Sequence, residues 1–146
     1  MRIAILIHLL GVIVWLGGMF FAYACLRPVA AAQLPPAQRL PLLAAVFGRF
    51  FVAVGIAIAA ILVSGLLRFG AAGGAAPWHW HAMAATGSAM VLIYLLIVLR
   101  FYPRLKAAVA NQAWPTGGAA MEAIRKLVLV NLVLGGVTLA IALAGP

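Results

Sequence analysis

The sequence is almost devoid of acid. Glu122 is the single carboxylate side chain among 146 residues. A glycosidase-type mechanism needs two carboxylates. A Ser–His–Asp relay needs an acid beside its histidine. Neither can be assembled here. Cysteine is equally scarce: Cys25 alone excludes an internal disulfide and any all-cysteine metal site. Charge of either sign amounts to 8% of residues, whereas a soluble domain carries roughly 25%. The apolar share is 68%, which a water-soluble fold could not hide, so lipid must be the solvent. The length suits one compact bundle, a single transmembrane domain over residues 1–146.

What remains of charge is basic. Ten Lys and Arg against one acid give a formal charge of +9. In a soluble protein this balance would suggest nucleic acid. Here the cations flank apolar runs instead of forming a patch, so they read as topology signals, and no nucleic-acid partner is expected. The first apolar run, Ile3–Leu26, is about twice as long as a signal-peptide core of ~7–15 residues. It ends at Arg27-Pro28 instead of a small-residue cleavage site, so it reads as a retained helix.

Four segments reach the ~20 residues that cross ~30 Å of hydrocarbon: about Ile3–Leu26, Leu42–Leu67, Trp78–Tyr102 and Met121–Leu143. Backbone groups in lipid must be satisfied internally, so the spacing predicts helices and an all-α four-helix membrane bundle. The connections contain Pro35-Pro36, a Gly/Ala turn at Gly70–Ala76, and the breaker Pro115-Thr116-Gly117-Gly118. All but two of the ten cations belong to the ends joined by loops one and three, which should therefore be cytoplasmic. Only Arg2 and Arg68 lie toward the other side. Both termini then face outward, toward the periplasm in a bacterial inner membrane.

Three histidines stand out: His8, His79 and His81. His8 lies ~9 Å along its helix from Arg2, and His81 lies ~6 Å from Pro77. Both positions fall near the outer face, on helices one and three. Imidazoles inside a membrane are a functional hypothesis by default. His8 shares a face with Gly11, Val12, Trp15, Gly18 and Met19, and His81 with Ala84, Ala85, Ser88 and Ala89. Small residues beside a ligand leave space for a flat macrocycle, and equally permit close helix packing. His79 lies roughly 200° around the helix from His81, so the two cannot both face His8. It shares a face with Met83 and Met90. Neutral imidazoles on facing helices can bind haem iron axially. Histidine with methionine thioether can instead hold copper, with His8, His79, His81 and Met83 contributing. Interfacial histidines bonded to backbone or headgroups are the third reading.

The stretch His8-Leu-Leu-Gly-Val-Ile-Val-Trp15-Leu-Gly17-Gly18-Met-Phe-Phe resembles the first helix of copper resistance protein D-like (CopD) membrane proteins. The segments Arg49-Phe-Phe, His81-Ala-Met-Ala-Ala-Thr-Gly87 and Arg125-Lys-Leu-Val-Leu-Val-Asn131-Leu are similar to small stand-alone members. The architecture also resembles the HemJ-type protoporphyrinogen oxidases, where His8 and Trp15 match a first-helix His and Trp. In that group a His-x-Lys stands where this chain has His81-Ala82-Met83. Met83 in place of the lysine argues against that enzyme activity and leaves a histidine-held haem in place. The resemblance implies a part in copper handling or membrane electron transfer. The expected centre is a redox metal, haem b favoured over bare copper, held between His8 and His81, with Trp15, Gly11 and Gly18 lining it. Arg2 and Arg68, the cations on that side, would pair with haem propionates. The partners so implied are the lipid bilayer, a quinone, and a periplasmic metal or electron partner. A homo-oligomer or a cofactor-free subunit of a membrane complex is the contrasting class, which a lipid-facing His8 or His81 would favour.

Smaller features have structural readings. Arg49 snorkels from helix two, and Glu122 pairs locally with Arg125 and Lys126. Cys25 is a small apolar core residue. Asn131 joins helices through Ser64, Thr86 or Ser88.

Overall fold

A computed structural model describes residues 2–145. The chain is all-α, with four helices long and apolar enough to cross a membrane: α1 Arg2–Gln33, α2 Pro36–Ala75, α3 Trp78–Ala110 and α4 Trp114–Ala144. The protein is a multi-pass membrane protein built as a four-helix bundle.

Its burial pattern is that of a lipid-solvated bundle. Leu66, Leu99, Ile56 and Val63 are exposed along the outside, while Ser64, His79 and Asn131 are buried. In water this arrangement would be unfavourable. In lipid there is no hydrophobic force between helices, and polar groups and small residues draw them together. α1 packs along α2, and α3 along α4. α2 also contacts α4 and the end of α3. α1 and α3 are diagonal and share no substantial interface.

Glycines set the close approaches. A Cβ at Gly11 would lie 2.8 Å from Ile61 Cγ1, and one at Gly135 would lie 2.8 Å from Leu16 Cδ2. A Cβ at Gly18 would run into the Phe50 ring. Two tyrosines fasten α3 to α2 by the same device. Tyr94 donates to Phe51 O at 2.7 Å and Tyr102 to Ala44 O at 3.0 Å. The residue four positions after each carbonyl is a glycine, Gly55 or Gly48. A Cβ there would stand 3.0 Å and 2.5 Å from the respective hydroxyl. The missing Cβ lets the phenol reach a carbonyl already engaged within its helix.

The helices run about two turns further at one end than the sequence predicts. They are 31 to 40 residues long, so each exceeds the ~30 Å of hydrocarbon at 1.5 Å per residue. Most of the extra turns gather at the end carrying loops one and three, here called the basic end; at the opposite, histidine end α2 also runs past the predicted Leu67, staying helical through most of the predicted Gly70–Ala76 turn to Ala75. The sequence reading stopped the helices at prolines, and the structure carries them through. Pro36 and Pro115 occupy the first turns of α2 and α4, where no N–H is needed. Pro28 and Pro103 follow π-helical segments at Ala22–Leu26 and Ile97–Phe101. A proline ring collides with the carbonyl four residues earlier, here Ala24 or Leu99. Both lie inside the widened turns, which move that carbonyl aside. The chain reverses at Asn111–Ala113 instead, with Gln112 at φ 53°.

The basic end also holds several fully buried apolar side chains. Leu40, Leu43, Leu105 and Ile124 are at most 1% exposed there. Glu122 accepts from Arg125 and from Arg27 at 3.1 Å, and Arg125 also reaches the Tyr23 hydroxyl at 3.4 Å. The expected local pair forms with Arg125, and Arg27 in the place of Lys126 makes the acid also join α4 to α1. Arg49 is exposed, consistent with snorkelling. Cys25 is exposed on the apolar surface and is not a core residue.

Candidate functional site

The histidine end brings together side chains from α1, α2 and α3. His8 is half-buried against α2. Its Nδ1 lies 3.0 Å from Ser64 Oγ, and Ser64 is only 2% exposed. The serine hydroxyl has its own acceptor, Ala60 O at 2.6 Å. With its one proton donated there, Oγ accepts from His8 Nδ1–H. The imidazole is then the tautomer whose Nε2 carries the free lone pair. Gly65 leaves that flank uncovered: a Cβ there would be 3.9 Å from His8 Cε1.

Arg68 lies one turn beyond Ser64 on α2. Its guanidinium carbon sits 4.6 Å from the centroid of Trp80 on α3. Phe69 meets Trp80 and His81 edge-on, with centroids 5.6 and 5.4 Å apart. This aromatic–cation contact closes α2 on α3 just above the His8–Ser64 pair.

The three histidines take three different sides. His8 lies on Ser64 and His81 beside Phe69. Residues five apart on a helix point about 140° from one another. The structure therefore sets His8 and His81 on different flanks of α2 and does not bring them face to face. His81 is exposed, and so are Ala84, Ala85 and Ser88 of its small-residue stripe. His79 is 7% exposed, between α3 and the end of α4. Trp78 and Trp80 stand edge-on to it, and Gly145 lies over its ring, where a Cβ would come within 2.6 Å. Among the described residues, its Nδ1 is a buried polar atom without a hydrogen-bond partner. Met83 is half-buried on α3, and Met90, deeper, is 3% exposed. Among the described residues, no group of three or more His, Cys, Asp or Glu side chains could hold a metal ion.

The other predicted site residues separate in the same way. Trp15 is buried in the bundle core at 4% exposure, inside a π-helical turn, Ile13–Gly17. Gly11 and Gly18 are filled by Ile61 and Phe50, so they serve close packing of α1 on α2 and leave no wall for a macrocycle. Arg2 is exposed at the start of α1. Asn131 donates to Met90 O at 3.3 Å. Thr86 is instead reached by Thr138 at 2.7 Å, and Ser88 bonds within its own helix. Sequence reasoning did not pair Ser64 with His8. Part of the signal was present: Ser64 lies four residues before Arg68, as His8 lies six residues after Arg2, so both fall within about two turns of the cations on that side.

Fold and site together define a multi-pass α-helical membrane protein with one polar cluster at its histidine end. The chain belongs to the DUF4149 family, a domain of unknown function, whose sequence profile matches residues 10–113. The match runs from within α1 through the turn before α4, so His8 lies just ahead of it. No curated protein and no solved structure matches the chain.

Proposed function

We propose that the protein binds a redox metal centre, haem b or copper, at its histidine end through His8, and serves membrane electron transfer or copper handling. One observation carries this reading: the 3.0 Å contact of His8 Nδ1 with Ser64 Oγ. Metal-ligating histidines commonly donate the second ring N–H to an oxygen, which fixes tautomer and orientation. Ser64 does this from the neighbouring helix and leaves Nε2 for the ligand. The donor set fits one histidine from this chain. His81 is left out of the proposed donor set because it sits beside Phe69, on another flank of α2 from Ser64. Haem iron, when bound, supplies one-electron exchange, which suits transfer between a quinone and an acceptor at this interface. Arg68, one turn away, places positive charge beside the site for a propionate. The excess of cations at the other end supports loops one and three being cytoplasmic and both termini periplasmic, in an inner membrane.

The test is the visible spectrum and metal content of detergent-purified protein. A Soret band with stoichiometric iron is expected, lost in His8→Ala, weakened or shifted in Ser64→Ala and kept in His81→Ala. Copper at one per chain without a Soret band would favour the copper form. Neither metal in freshly isolated protein would sink both.

A second reading has its own observation. His81, Ala84, Ala85 and Ser88 lie on the exposed face of α3. An imidazole turned to lipid is unfavourable, and small residues suit a neighbouring helix. A subunit role predicts a native mass above the monomer that falls toward it in His81→Leu. A monomeric native mass in the wild type would count against it.

A further inference from the structure

The basic end carries positive charge that the chain itself does not neutralise. Ten cations stand against one acid. Among the described residues, both ion pairs belong to Glu122, with Arg27 and Arg125. Arg104 is therefore left without a protein carboxylate. It is exposed on the extension of α3, with its guanidinium carbon 5.9 Å from the Phe101 ring centroid. Beside it a groove of about 540 Å³ opens between α3 and the first turns of α4. Phe101, Ala119 and Ala120 form apolar wall, and Asn111 and Thr116 its polar edge. That volume lies within the range of small-molecule sites.

We propose that this groove binds an anionic phospholipid from the adjacent leaflet, with the phosphate on Arg104 and the first part of an acyl chain against Phe101, Ala119 and Ala120. The groove's lining, Phe101 to Ala120, falls between the predicted spans that end at Tyr102 and begin at Met121, where an interfacial headgroup is expected. A guanidinium presents two parallel N–H groups to phosphate oxygens. The Asn111 amide and Thr116 hydroxyl supply further donors for headgroup and glycerol oxygens. Arg100, about one turn earlier on α3, adds a second charge to the same side. Basic pockets between transmembrane helices recognise anionic headgroups in this manner. The charge selects the headgroup, and the apolar wall selects a lipid over a free anion.

Native mass spectrometry of the full chain with equal phosphatidylglycerol and phosphatidylcholine tests the proposal. The wild type should retain the anionic lipid about fivefold more. Arg104→Gln should bring that ratio near unity by removing the charge. Ala119→Phe, an exposed position, should do the same by filling the groove with the charge intact. Arg39→Gln, outside the groove, should leave it unchanged. The proposal is overturned if both groove variants keep the wild-type preference while remaining helical. It also fails if Arg39→Gln loses as much, which would mean unspecific attraction. Displacement of the lipid by millimolar inorganic phosphate would mean a free-anion site and overturn it as well.

Discussion

At the scale of single residues, the protein works by pairing one polar atom with one gap. Tyr102 and Gly48 illustrate the point, because neither is informative alone. The hydroxyl reaches Ala44 O only because position 48 lacks a Cβ. Tyr102→Phe removes a hydrogen bond and should cost about 0.6–1.7 kcal/mol, the range of interhelical bonds in membranes. Gly48→Ala puts a methyl 2.5 Å from the hydroxyl and should destabilise by about 1–3 kcal/mol, as overpacking does. The two effects share one contact, so they should be less than additive in a thermal or denaturant melt of the double variant. Full additivity would place the glycine's role elsewhere. His8 and Ser64 are another such pair. That His8 and His81 fall at the same end of the bundle was legible, because rise per residue fixes position along a helix. Direction was not, because periodicity says which residues share a face and is silent on which helix covers that face. Gly11 and Gly18 show the same limit: a small-residue stripe reads alike whether a neighbouring side chain or a cofactor fills it.

At the scale of elements, four helices and their order were legible from apolar run length. Their ends at the basic side were not. Pro28, Pro36, Pro103 and Pro115 look like stops, yet two begin helices and two are absorbed by widened turns just upstream. Apolar content also falls in these last turns, where water returns as the solvent. There the hydrophobic effect acts again and favours the burial of Leu40 and Leu105, which are among the best-buried side chains. The extensions should therefore be ordered and water-accessible. Single cysteines at Gln38 and Lys106, in a Cys25→Ala background, should react with a charged maleimide added to one side of sealed vesicles, and from the same side. Labelling of the two from opposite sides would contradict the antiparallel arrangement of α2 and α3 ends. Protection of both would place the extensions within lipid.

At the scale of the whole molecule, the two ends differ in kind. The basic end is ion-paired through Glu122, rich in uncompensated cations and opened by the groove beside Arg104. The histidine end is held by fewer and more polar contacts: His8 on Ser64, Arg68 on Trp80, Phe69 on His81. The proposed centre lies at this end, where an imidazole from α1 is oriented by Ser64 of α2. The most direct check is the absorption spectrum and metal content of the freshly purified wild type beside His8→Ala and His81→Ala. A bound centre that disappears with His8 and survives loss of His81 is the expected result. Wild-type protein free of both iron and copper, or a centre indifferent to His8, would contradict it.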